Sequence, residues 1–282
     1  MLPLIALLLI FLPNSHALEI TSLNTTARNF SLAGTPDITT VDGESLNPAS
    51  IAFSRQIEMS ATTVRSLVGT GGNRFHITSI GTPMAYSVTY FNYNYGSVDA
   101  VDETGTKEGT LNPQDTALSL TLAGPMGQES LGWGVKVNRF QRTLDEKASG
   151  TGMDIGIVQK NWIAPEFNFG ISYLNLFQKL NWEKITEKTP RQLSLQAMYE
   201  ARVKFLIAYI QENSRWRHSI GAEFPWNGFS ARVGMVSSKN FNSQASYRWG
   251  FGAVLGNLKV DWGSAFMDAL GNINVASITY LF

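Results

Sequence analysis

From about residue 56 to the C-terminus the chain repeats one pattern: roughly ten residues of alternating apolar and polar character, then a polar or Gly/Pro break. A period of two places successive side chains on opposite faces of an extended strand, so the repeat restricts the chain to all-β architectures. The last third shows it most plainly. Trp216, His218, Ile220, Ala222 and Phe224 share one face, while Arg217, Ser219, Gly221 and Glu223 share the other. Tyr247, Trp249, Phe251, Ala253 and Leu255 then oppose Arg248, Gly250, Gly252 and Val254. Strands are expected at 56–66, 74–80, 84–95, 115–124, 130–142, 151–160, 166–176, 191–200, 202–212, 215–224, 227–236, 246–255, 257–266 and 273–282, fourteen in all.

A soluble two-sheet sandwich would alternate in the same way. Three features favour a transmembrane, antiparallel up-and-down β-barrel. Aromatics recur at strand ends on the apolar face (Trp216, Phe224, Phe229, Tyr247, Phe266), as interfacial girdles do. Glycine and small residues crowd the polar face, as the curved interior of a small barrel would need. Loop length also follows strand parity: short breaks near 81–83, 125–129, 161–165, 201, 225–226 and 256 alternate with 67–73, 96–114, 143–150, 177–190, 237–245 and 267–272, with only 213–214 brief on that side. Short turns at one end and long loops at the other is the outer-membrane arrangement.

Composition is consistent with this. Past the leader no apolar run reaches the eighteen or so residues of a transmembrane helix. Lys and Arg total 22 and Asp and Glu 22, so net charge is zero, which argues against nucleic acid as a partner. There is no cysteine, hence neither a disulfide framework nor a thiolate metal site. Met1 to Ala17 reads as a signal peptide: an apolar core from Leu2 to Leu12, then Ser15-His16-Ala17 as a small-x-small cleavage site. Export to the bacterial outer membrane follows, with lipid as the surrounding partner. Residues 18–50 do not alternate and are rich in Thr, Asn, Ser, Asp and Gly. They form either an N-terminal lumenal hatch or a disordered periplasmic tail. Residues 51–282 form the barrel. Ile278, Tyr280 and the terminal Phe282 fall on one face of the last strand and resemble the signal read by barrel-assembly machinery.

Six charged positions on the polar face of the later strands, Arg202, Lys204, Arg217, Arg232, Arg248 and Lys259, lie beside Glu212, Glu223 and Asp261. Facing lipid, each Arg or Lys near the midplane would cost about 2–4 kcal/mol, so all are expected in the lumen, as a salt-bridge ladder or as a track for an anionic head group. The three histidines lie apart, and no spacing resembles a metal site. His218 is expected on the lipid face. Gly69-Thr70-Gly71-Gly72 lacks the Lys-Ser/Thr of a phosphate loop and reads as a mobile surface loop. No catalytic residue, metal or cofactor is identified.

One set of residues carries a family resemblance. Asp42-Gly43-Glu44-Ser45-Leu46-Asn47-Pro48-Ala49 resembles the box preceding the first strand of PorV/PorQ-type barrels and of the related fatty-acid transporters of the FadL superfamily. Tyr173-Leu174-Asn175-Leu176, Gly221-Ala222-Glu223-Phe224, Ala231-Arg232-Val233-Gly234 and the finish from Leu258-Lys259-Val260-Asp261-Trp262 to Phe282 are similar to that family's motifs in order. The chain departs from the pattern at Asn274 or Val275, where a histidine is usual, and around Gly81-Thr82-Pro83, where strands two and three are shortened. The resemblance implies Asn47, Pro48 and Ala49 as a hatch motif. It also implies an accessory subunit of a protein export system, with export proteins as partners, or alternatively a transporter of a hydrophobic ligand.

Overall fold

The computed structural model describes residues 25–66, 69–80, 83–101, 106–144, 146–182, 185–212, 215–239, 246–267 and 271–282. Residues 1–24, with the expected signal peptide, lie outside them. The strands are β1 (Glu58–Ser66), β2 (Gly71–Ile80), β3 (Ala85–Asn94), β4 (Val98–Val101), β5 (Lys107–Leu111), β6 (Gln114–Met126), β7 (Gln128–Thr143), β8 (Lys147–Gln159), β9 (Phe167–Asn181), β10 (Thr186–Lys188), β11 (Gln192–Glu200), β12 (Lys204–Glu212), β13 (Arg215–Trp226), β14 (Phe229–Lys239), β15 (Ser246–Leu255), β16 (Leu258–Met267) and β17 (Gly271–Leu281). Fourteen of them form one antiparallel meander that closes where β17 pairs with β1, from Glu58 opposite Leu281 to Ser66 opposite Ile273. Closure removes both sheet edges. The other three strands decorate the loops expected at 96–114 and 177–190: β4 pairs with β5, and β10 extends the end of β9.

At the end where β1 begins and β17 finishes, the connections are tight turns. Asn227-Gly228 joins β13 to β14 with positive φ at both residues, 50° and 84°, the geometry whose twist matches a two-residue hairpin. At the other end, Gly71 and Gly72 belong to β2 and are buried, which corrects their assignment to a mobile loop. β2 and β3 are ten residues each, so the front of the barrel is shorter than β6 to β9 but fully paired.

The alternation separates two environments. Phe75 and Ile77 in β2, Val88 and Tyr90 in β3, Leu118 and Leu120 in β6, and Ile207, Ile220, Val233 and Phe251 in β12 to β15 all project outward. An apolar surface this continuous is stable only against lipid. Phe224, Phe229, Tyr247 and Phe266 are exposed at strand ends, and His218 faces outward between Tyr209 and Trp216 as expected. The described residues include no helix long and apolar enough to cross a membrane. Ile207→Arg, halfway along β12 on this face, is expected to cost about 2–4 kcal/mol; the urea midpoint of refolding into lipid vesicles, read by heat-modifiable gel mobility, checks it.

Candidate functional site: the plugged lumen

Residues 25–53 occupy the barrel interior as a plug. It runs as a short helix α1 (Ala27–Ser31), capped by Thr26 whose side chain accepts from the Asn29 N–H, then two 3-10 turns, Val41–Ser45 and Pro48–Phe53. The second turn is capped by Asn47, whose side-chain oxygen accepts from the Ala49 N–H at 3.0 Å. The same amide reaches the wall: its Nδ2 donates to the Ile157 carbonyl at 3.1 Å and to Gln196 Oε1 at 2.9 Å. Ser172 Oγ donates to the Leu46 carbonyl, and the Ala27 N–H donates to Ser277 Oγ at 2.8 Å.

The inner-face glycines explain how the plug fits. A Cβ on Gly134 would meet the Pro48 and Ala49 backbone, one on Gly156 the Asn47 side chain, and one on Gly170 the Asn47 Nδ2 at 2.9 Å. These three glycines lie on adjacent strands, Gly134 directly opposite Gly156, and cut a notch for the Asn47-Pro48-Ala49 turn. A second notch holds α1 and the residues after it. A Cβ on Gly234 would sit 2.6 Å from the Ala33 nitrogen, on Gly221 2.5 Å from Thr35 Oγ1, and on Gly250 2.6 Å from Ser31 Cβ. These glycines therefore make room for the plug as well as for the curvature of the wall.

Plug and wall are joined by charge. Arg28 of α1 lies 2.7 Å from Asp37, 3.1 Å from Asp42 and 2.6 Å from Glu223 of β13. Glu223 also takes Arg232 at 2.7 Å, and Arg232 reaches Asp261 at 2.6 Å; Lys204 lies 3.3 Å from Asp37. Lys259 stands 3.9 Å from Glu58. Five of the predicted lumen residues, Lys204, Glu223, Arg232, Lys259 and Asp261, are therefore at the interior toward the short-turn end. Arg217 and Arg248 also face inward but near the long-loop end, outside this network. Arg202 is a correction: it is exposed in the bend between β11 and β12, where the strand has not yet begun and a cation meets water without penalty. Sequence reasoning missed Arg28, Asp37 and Asp42, because a segment without periodicity gives no face to read. It also missed a second anchor, in which Glu44 accepts from Ser87 at 2.6 Å and from Thr121 beside His76.

Along β1, β3, β6 and β17 the long-loop half of the lumen is apolar, while Asp115, Arg142, Arg217 and Arg248 make other parts of it charged. Val64, Phe91, Tyr93, Ala117, Ile273 and Val275 point inward there and pack on Ala27 and Phe30 of the plug, with Tyr95 and Phe140 against them. The wall is irregular in one mid-strand place among the described pairs, between β8 and β9. Two successive register shifts leave Asn175 and Phe177 at φ 60° and 57°, and Asp154 accepts the Asn175 N–H at 2.8 Å. The hydrophobes Ile278, Tyr280 and Phe282 project together from the outer face of the final strand.

The plug carboxylates set a pH dependence. Burial alone would raise Asp37 and Asp42, but the guanidinium of Arg28, with Lys204 at Asp37 and Thr26 at Asp42, outweighs it and holds both below the usual carboxylate range. A folded value below the unfolded one gives stability that is complete above the unfolded value of about 3.9 and is lost as pH falls through the folded values. Protection of the residue 25–53 amides from hydrogen exchange, corrected for the intrinsic rate, is thus expected to be constant from neutrality to about pH 5 and to fall below about pH 4, with Asp37→Asn flattening the curve.

Comparison by sequence finds no matching family model and no matching curated protein. Solved structures do match. The Pseudomonas putida toluene transporter TodX aligns with a TM-score of 0.68 at 11% identity, covering 92% of this chain and 99% of that one. The CymD monoaromatic hydrocarbon channel aligns with a TM-score of 0.68 at 12% identity, covering 92% and 98%. A Pseudomonas aeruginosa FadL homologue aligns with a TM-score of 0.62 at 11% identity, covering 91% and 98%. At these identities the likeness is one of fold: this chain is built as a FadL-like, fourteen-stranded barrel.

Proposed function

We propose that the protein is an outer-membrane channel for hydrophobic small molecules, exported by its leader, assembled through its C-terminal strand and gated by the plug. The observation that carries this reading is the apolar, aromatic lining of the lumen on the long-loop side of the plug. A water-filled pore presents polar side chains to its interior. Val64, Phe91, Ile273 and Val275 reverse that rule at the end through which a solute from outside would enter. The matched transporter and hydrocarbon channels favour passage of hydrophobes over the accessory export role implied by the PorV/PorQ resemblance. No part of the reading calls for enzymatic chemistry.

The test is native mass spectrometry of the protein gently extracted from its own membrane, alongside uptake of a monoaromatic hydrocarbon by cells with and without it. A bound small hydrophobe and faster uptake are expected. A stoichiometric protein partner with unchanged uptake would instead establish the accessory role.

A further inference from the structure

The barrel interior pairs three of its arginines closely and leaves others without a carboxylate in contact; Arg74 of β2 is one of these, with Glu44 and Asp42 offsetting its charge from a distance. Arg28, Arg142 and Arg232 each meet at least one carboxylate at 2.8 Å or less. Arg217 of β13 and Arg248 of β15 do not. Among the described residues no hydrogen bond or ion pair reaches either guanidinium, and the Nε of each is buried without a partner. The two like charges repel each other; Glu212 offsets this at Arg217, but no carboxylate does so at Arg248, which rests over the Phe30 ring at 4.5 Å. A cation–π contact is worth too little to compensate a buried charge.

Both arginines line a cavity of about 20 Å³ between plug and wall, with Thr25 and Ser45 on the plug side and Gln192 on the wall. The hydroxyl of Thr25, which lines the cavity from the plug side, is also buried without a partner among the described residues. Unsatisfied donors from both plug and wall thus converge on one small space. Each buried unpaired group carries its full desolvation penalty, and an anion would relieve all of them at once. The volume holds about one or two water-sized groups. That suits the two oxygens of a carboxylate and not the four of phosphate or sulfate.

We infer that the cavity between Arg217 and Arg248 is a binding site for a carboxylate-sized monoanion, which ties the plug to the wall on its long-loop side. The site adjoins the apolar cluster through Phe30, and its test requires no transport.

The experiment uses the full mature protein in non-ionic detergent and low-salt buffer, with formate as probe and the rate of proteolysis within residues 25–53 as readout. Formate is expected to slow cleavage about tenfold with saturation, and inorganic phosphate at matched ionic strength is not. Arg248→Gln should abolish the formate response, whereas exposed Arg55→Gln should keep it. Because the variant also removes an uncompensated charge, Arg248→Gln without formate should resist cleavage at least as well as the unsubstituted protein. Arg217→Lys, which keeps charge, guards against a folding defect: it should retain a weakened response. No saturable effect of formate, an equal effect on Arg248→Gln, or an equal effect of phosphate would each overturn the assignment.

Discussion

Replacing Gly134 and Gly234 together by valine is expected to unseat the plug and leave the barrel standing. At both positions the nearest atoms to a new side chain belong to the plug, Pro48 and Ala49 at one and Leu32 and Ala33 at the other, and most of them are backbone that cannot rotate away. Overpacking costs about 1–3 kcal/mol even where side chains can give, and here two separate anchors are lost together. The strands themselves gain, since valine suits a β conformation better than glycine. The variant should therefore keep its heat-modifiable mobility, expose residues 25–53 to protease, and conduct ions in planar bilayers where the unsubstituted protein is closed. A folded variant that remained closed and protected would show that the notches do not hold the plug.

Arg28→Met is expected to produce the second large effect. The substitution preserves much of the side-chain volume and removes the charge that joins Asp37 and Asp42 of the plug to Glu223 of the wall, which lies 195 residues from Arg28 in sequence. Removing one partner of a buried ion pair leaves the other uncompensated, at a cost of about 3–5 kcal/mol. The urea midpoint for protease cleavage within residues 25–53 should fall accordingly. Adding Asp37→Asn should restore part of the loss, because residues sharing one network are not additive. Equal loss in the single and double variants would mean that Arg28 acts by packing alone.

The two predictions draw on different layers of information. Strand number, strand order and the direction of each side chain were legible from residue 56 onward, because a period of two assigns faces without reference to any partner. Trp216 and His218 outside, Ser219 and Glu223 inside, and the short-turn and long-loop ends all follow from it. The limit of the rule shows at Arg202, where extending the alternation two residues too far moved an exposed turn residue into the lumen. What the plug does was decided only by the tertiary structure. Arg28 finds Glu223, and Asn47 finds Ile157 and Gln196, because barrel closure brings strands far apart in sequence around one small segment. Such contacts depend on register and curvature summed over the whole sheet and leave no local periodicity. The same holds for the glycines, whose face could be read but not what they accommodate, and for Arg217 and Arg248, which look like their neighbours in sequence and differ in having no carboxylate in direct contact.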